Sequence, residues 1–255
     1  MKLFQLNTIA LLLLSVILVT SCGEMKEEII IEKDGSGFYE MSFDMIPMMR
    51  NMMVGVSFMA QEDLSEEDSL ALLAKVEEKL WSEFPDEVDS IMDISQGVPP
   101  EIKNDAAKMA VVEKTNAFMR GGKKKGYLLS GVNYRFDSAE DLQNFYTIFK
   151  EGNKRDPKMS MLMKNSDTET VITSNSFFRS QTMDQSDEQD QNYDKIKQFF
   201  EGTSVTTVIT TPKKIKKVNV KTYKVVAQTD KSVTVEMDML DFFTTTEPIE
   251  IDVKW

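Results

Sequence analysis

The alternation of apolar and polar residues divides the chain into a series of short predicted strands. The stretches 28–33 and 38–44 flank Asp34-Gly35-Ser36-Gly37, whose residues tolerate positive φ, so a β-hairpin is predicted there. Further stretches rich in Thr, Val and aromatic residues also predict strands. They are 111–119, 127–136, 169–178, 205–211, 223–229, 233–239 and 248–253.

Apolar residues at spacings of three and four predict amphipathic helices between the strands. One begins at Ser65-Glu66-Glu67-Asp68, a cap followed by an acidic first turn, and continues to Pro85. Another begins at Ser138-Ala139-Glu140-Asp141 and ends near Gly152, and a short helix is predicted over 193–200. This order predicts the α+β class, with an antiparallel β-sheet on which several amphipathic helices pack. We expect a single domain of this kind over 29–255.

Two segments do not fit the pattern. The run 45–60 is dominated by Met, Val and Phe, but Pro47 and Arg50 interrupt it, and it is too short to cross a bilayer. The segment 180–191 is polar and acidic and has no apolar periodicity. That composition predicts a mobile acidic loop.

The N-terminus has the three regions of a secretory signal peptide. Lys2 precedes an apolar run over 9–19, and the small residues Thr20 and Ser21 lead to Cys22. This order predicts a lipoprotein signal over 1–21, with a diacylglycerol added to the Cys22 thiol before cleavage. We predict that 22–28 is a polar, lipid-anchored tether. It is similar to acidic signals that direct lipoproteins to the outer membrane, so we expect an envelope protein facing the periplasm or the cell surface.

Composition excludes most kinds of catalytic site. The chain has no His and one Cys, which excludes His-dependent nucleophiles and an intrachain disulfide. Gly-x-Ser-x-Gly, Ser-x-x-Lys and P-loop motifs do not occur in the sequence. We therefore predict no enzymatic activity, no cofactor and no metal site. A formal net charge of -12 further predicts that the chain does not bind nucleic acid.

Methionine is concentrated in the run 45–60. We take these residues as the candidate apolar ligand surface, because flexible Met side chains suit an adaptable apolar contact. They are Met45, Met48, Met49, Met52, Met53 and Met59. Met159, Met161 and Met163 alternate in a second segment. Because thioethers also bind Cu(I), a Met-rich Cu(I)-binding protein is a further hypothesis.

Three features resemble the LppM-type bacterial lipoproteins. They are the lipobox ending at Cys22, the hairpin Ile29-Ile30-Ile31-Glu32-Lys33-Asp34-Gly35-Ser36-Gly37, and Thr211-Pro212-Lys213-Lys214-Ile215-Lys216-Lys217-Val218 before Ser232-Val233-Thr234-Val235. The resemblance implies an antiparallel sheet packed with helices around a hydrophobic pocket, and an association with lipid binding.

These observations predict a membrane-anchored, non-catalytic binding module. Its ligand is expected to be a lipid or another apolar molecule, and its membrane contact is the N-terminal lipid anchor. The alternative is a docking subunit that binds a protein partner in an envelope assembly. The two hypotheses predict different binding sites. A closed cavity favours a lipid ligand, and an open apolar patch favours a protein partner.

Overall fold

The predicted N-terminal hairpin is present at the centre of the structure. The computed structural model describes residues 24–59, 66–95, 98, 100–155, 166–183 and 202–255. Strands β1 (Glu24–Ile31) and β2 (Gly37–Asp44) pair antiparallel, from Met25 opposite Phe43 to Ile31 opposite Gly37. Gly35 has a φ of 90° in the turn between them, as the sequence predicts. Residues 24–28 of the predicted tether are thus part of β1, because they pair with β2 and with a second strand.

Eight strands form the larger sheet, in which β1 and β2 are central. The others are β3 (Val88–Asp93), β4 (Thr115–Gly122), β5 (Tyr127–Phe136), β8 (Ser204–Thr210), β10 (Lys224–Gln228) and β11 (Ser232–Asp238). Their order is β10-β11-β8-β1-β2-β5-β4-β3. Neighbouring strands are antiparallel except β1 and β8, which are parallel.

A second, smaller sheet packs against this one. It is antiparallel, with the order β6-β7-β12-β9. Its strands are β6 (Ser166–Ile172), β7 (Ser176–Met183), β9 (Lys217–Lys221) and β12 (Ile249–Lys254). The α+β class is confirmed in outline, with more strand than helix. The prediction of one antiparallel sheet is wrong, because the described residues form two sheets and the larger one is mixed.

Two strand predictions are corrected by the structure. The stretch 111–119 divides into the end of a helix, Ala106–Glu113, and the start of β4. Asp105 begins that helix, because its side chain accepts hydrogen bonds from the backbone N–H groups of Ala107 and Lys108. The stretch 169–178 divides into β6 and β7, and the N–H of Thr173 donates to the carbonyl oxygen of Ser176 in the turn between them.

Six helices are described between the strands. They are α1 (Met45–Met59), α2 (Glu66–Ser82), α3 (Pro100–Lys103), α4 (Ala106–Glu113), α5 (Ala139–Arg155) and α6 (Met239–Thr244). The two amphipathic helices predicted from spacing are confirmed as α2 and α5, whereas α1 was not predicted as a helix. Among the residues that the structure describes, no helix is both long and apolar enough to span a membrane. The predicted helix 193–200 and all of the acidic loop after Met183 lie outside the described residues.

The main core lies between the two sheets and extends under α5. Ile29, Ile209 and Val233 contribute to it from the larger sheet, and Ile251 and Phe177 contribute from the smaller one. The ring of Phe145, on α5, stacks on Tyr134 of β5 with 4.8 Å between centroids. A second, small core of Ile46, Leu80 and Leu128 joins α1 and α2 to β5.

Helix α5 also covers an edge of the smaller sheet. The side-chain amide of Gln143 donates to the carbonyl oxygen of Thr168 and accepts from the N–H of Thr170, at 3.0 Å for the second contact. Both threonines are buried and belong to β6, the edge strand. Gln143 therefore takes the place of a neighbouring strand and satisfies two backbone groups that would otherwise be unpaired.

We expect Gln143→Leu to lower the free energy of unfolding by about 1–3 kcal/mol, because both backbone groups of β6 lose their partner while buried. Denaturant unfolding monitored by circular dichroism measures this change. Asn144→Leu is the matched control, since Asn144 is the exposed neighbour on the same helix. Equal effects of the two substitutions would contradict the proposed role of Gln143.

Candidate functional site

A buried ion pair joins the two sheets. Glu27 lies on β1 and Arg179 on β7, and their side chains are buried, with 1% of the Arg179 side chain exposed. The Arg179 Nη1 donates to Glu27 Oε1 at 2.5 Å, and the Thr207 hydroxyl donates to Glu27 Oε2 at 2.9 Å. Arg179 Nη2 also reaches the Thr207 oxygen at 3.4 Å. Each oxygen of the Glu27 carboxylate thus accepts a hydrogen bond, one from Arg179 and one from Thr207. These bonds allow the two opposite charges to remain buried in the core.

Three tyrosines surround the pair. Burial raises the pKa of Tyr39, Tyr146 and Tyr223 above the ordinary tyrosine value, and the Glu27 carboxylate raises them further while Arg179 opposes the rise. All three are therefore neutral phenols near neutral pH. The Tyr146 hydroxyl is buried, and among the described residues no group lies in hydrogen-bonding geometry to it.

A cavity of about 90 Å³ lies directly against this cluster. Its polar lining consists of Glu27, the three tyrosines, Lys150, Ser166, Thr168 and Gln181. The rest of the lining is an apolar wall that comes from β1, β2, α5, β8 and α6. That wall consists of Met25, Met41, Phe145, Phe149, Val205 and Phe242. The cavity thus combines a hydrocarbon-like wall with a polar floor, which is the arrangement typical of small-molecule sites.

The size of the cavity restricts what could enter it. At about 90 Å³ it is smaller than the ~150 Å³ apolar cavity that accepts a benzene ring, so it can hold the end of a chain rather than a whole amphiphile. A polar pocket of about 270 Å³ adjoins it and shares Tyr146, Lys150, Ser166 and Thr168. Lys150 forms an ion pair with Asp167 in this second pocket.

The methionines predicted as a ligand surface lie elsewhere. Met45, Met49 and Met53 pack against the small core of Ile46, Leu80 and Leu128, and Met48 is half-buried on the same helix. The side chains of Met52 and Met59 lie outside the described part of the structure. The ligand role of this set stays a prediction, and the cavity is lined instead by two other methionines, Met25 and Met41.

Two further sets of predicted site residues lie outside the described part of the chain. Cys22, the predicted lipid attachment site, precedes the first described residue. Met159, Met161 and Met163 also lie outside the described ranges, so the Cu(I) hypothesis stays untested. Within the described ranges, no group of three or more His, Cys, Asp or Glu side chains is placed to hold a metal ion.

The ion pair was not predicted, although the strand pattern contains a signal for it. Glu27 alternates with Met25, Ile29 and Ile31 on one face of β1. Arg179 likewise follows the buried Phe177 at a spacing of two. A charge at a core-facing strand position indicates burial, and two opposite charges of this kind indicate a pair.

Comparisons with known proteins give limited information. No model of a known protein family matches the chain, and no curated protein sequence matches it. Among solved structures, it is similar to the NMR structure of the folded domain of Mycobacterium tuberculosis LppM, over 91% of this chain and 90% of that one. The TM-score is 0.40 and the sequence identity is 8%. This is a weak structural resemblance only.

We expect Arg179→Met to lower the free energy of unfolding by about 3–5 kcal/mol, because Glu27 would remain buried without its partner. Lys214→Met is the control, since Lys214 and Asp230 form an exposed pair worth at most about 1 kcal/mol. The double variant Glu27→Leu/Arg179→Met should recover much of the loss. Denaturant unfolding measures the stability of all three variants. If Arg179→Met lowers the free energy of unfolding no more than Lys214→Met does, the buried ion pair does not contribute to stability.

Proposed function

We propose that the chain is a non-catalytic binding module, anchored to a membrane through an acylated Cys22, whose cavity receives the end of a hydrocarbon chain of a lipid or other amphiphile. The observation that carries this proposal is the apolar wall of the cavity beside the buried Glu27–Arg179 pair. The anchor is supported by the signal peptide and by the position of Cys22 after it.

The lining of the cavity favours a chain end. Phe145, Phe149 and Phe242 offer aromatic surface, and Met25 and Met41 are flexible enough to adjust to a methyl-terminated chain. Each methylene group removed from water contributes about 0.8 kcal/mol. The adjoining polar pocket, with Lys150, Ser166 and Thr168, is placed to contact the polar part of such a ligand.

The chemistry around the cavity favours binding over catalysis. A general base at neutral pH needs a pKa near 7 and a free lone pair. The three tyrosine pKa values are shifted away from that range, and Glu27 is already held by Arg179 and Thr207. This arrangement supports the proposal that the protein holds a ligand without changing it.

One observation favours protein docking as a second function. Strand β3 is an edge strand, and Ile91 and Met92 on it are 65% and 46% exposed. An exposed apolar edge can add a strand from another chain. We keep this alternative because the edge and the cavity are separate and both can be tested.

The lipid anchor is tested by metabolic labelling with an alkyne analogue of palmitate. The parent chain should incorporate the label, and Cys22→Ser should incorporate none, because the acyl group is attached through this thiol. Ser21→Ala is the matched control, since it keeps a small residue before the cleavage site and should be labelled like the parent. An unlabelled parent chain would contradict the anchor.

The cavity is tested by native mass spectrometry of a Cys22→Ser chain that begins at residue 22. We expect a bound mass that organic extraction removes. Met25→Trp should raise the Kd for added fatty acid by about tenfold, which corresponds to a loss of about 1.4 kcal/mol, because the larger ring fills part of the cavity. Lys26→Trp is the control, because Lys26 lies on the opposite face of β1. If the spectrum shows only the mass of the protein, and added fatty acid does not bind, docking of a protein partner through β3 becomes the better hypothesis.

A further inference from the structure

The first strand starts almost at the predicted anchor. β1 begins at Glu24, so Gly23 alone separates it from Cys22. An extended residue spans at most about 3.6 Å, which places the Cys22 Cα within roughly 7 Å of the Glu24 Cα. A lipid attached to Cys22 therefore holds this end of the sheet at the membrane surface and leaves little freedom for the domain to turn away.

The same end of the sheet carries several other features. Met25 is paired with Phe43, the penultimate residue of β2, and α1 starts directly after this strand at Met45. Strand β8 begins here, because Glu24 is opposite Ser204. Strand β11 ends here opposite the start of β8, and α6 follows it. We call this end, from Glu24, Asp44 and Ser204 to α6, the anchored end.

One end of the cavity lies at the anchored end, and the cavity extends from there towards the middle of the sheet. Its wall includes Met25 and Val205, near the starts of β1 and β8, and Phe242 of α6. The lining also includes Tyr39 and Met41, which are opposite Ile29 and Glu27 further along β1. The start of β1, which closely follows Cys22 in sequence, therefore contributes to one end of the cavity.

We propose that the anchored end is the surface that faces the lipid bilayer, so that the cavity lies next to the membrane from which a chain end would enter. This inference rests on the proposed acylation of Cys22. Half-buried Met25, Phe43 and Phe242 supply the apolar part of the contact. The remainder of the domain, including the turn between β1 and β2, points away from the bilayer.

The exposed charges of the anchored end determine whether it can approach a bilayer with anionic or with zwitterionic headgroups. Glu24, Asp238 and Asp241 are exposed carboxylates, and Lys26 is an exposed base. The excess of negative charge opposes close contact with anionic headgroups, within a Debye length of about 10 Å at 0.1 M salt. We therefore assign the surface to a zwitterionic lipid such as phosphatidylcholine, used here as the probe.

The orientation can be measured because the chain has no second Cys. The acylated protein carrying Asp241→Cys reports from the anchored end, and Lys33→Cys reports from the turn at the far end of β1. Both residues are exposed, and the eight residues of β1 separate the two ends by about 26 Å. Each variant is labelled with the same fluorophore and placed on phosphatidylcholine vesicles that contain a headgroup quencher.

We expect the label at position 241 to be quenched at least about threefold more strongly than the label at position 33, given the difference in height. A linker of 20 Gly and Ser residues between Gly23 and Glu24, with a root-mean-square length of about 25 Å, should reduce this ratio towards one. A ratio that stays high with the linker would also support the inference, because the surface of the anchored end would then hold the orientation without the short tether. A ratio near one in the acylated protein without the linker would overturn the inference.

The mass of the N-terminal peptide of the purified protein distinguishes failure of the proposed lipid anchor from failure of the proposed orientation. If the N-terminal peptide carries the diacylglyceryl group and both labels are quenched equally, the orientation is wrong while the anchor stands. If the peptide carries no lipid, the anchor and the orientation fail together. Vesicles with added phosphatidylglycerol should weaken the quenching at position 241, and stronger quenching there would contradict the assignment to zwitterionic lipid.

Discussion

The ion pair of Glu27 and Arg179 lies within the apolar contact between the two sheets and constrains how that contact forms. Moving each charge out of water costs several kcal/mol, and the attraction between them offsets this cost only when both are fully hydrogen-bonded. Thr207 supplies the second partner of the carboxylate, and the phenols of Tyr39, Tyr146 and Tyr223 provide polar surroundings. Since β1, β7 and β8 must all be in register for this cluster to form, it specifies how the sheets face each other.

Glu27 and the three tyrosines of that cluster also line the cavity. A bound ligand would therefore affect the strength of the ion pair. An apolar chain in the cavity would exclude water from the side of Glu27 that faces Met25 and Val205. Removing water lowers the local dielectric constant and strengthens the attraction between Glu27 and Arg179. A ligand that binds the folded state alone also stabilises it by mass action. Binding and stability should therefore change together in this protein.

Local signals explain which elements could be predicted from the sequence. The Asp34–Gly37 turn, the alternation over 248–253 and the caps before α2 and α5 each lie within a few residues of the element they specify. The run 111–119 is ambiguous, because Val111 and Val112 fit the end of a helix as well as a strand. The division into two sheets, the parallel pairing of β1 with β8 and the neighbours of Glu27 depend on distant residues. Periodicity can mark Glu27 and Arg179 as core-facing charges, but it does not specify which distant strands become neighbours.

The parallel pairing of β1 with β8 has a consequence for the order in which the domain folds. β1 is the first strand to be synthesised, yet Arg179 and Thr207 follow Glu27 by 152 and 180 residues. Contacts so far apart in sequence form slowly, because a long loop must close first. The core-facing side of β1 therefore stays uncovered until the last third of the chain is present. If the proposed signal peptide directs export, processing at residue 22 would act on an unfolded chain, before the cavity has formed.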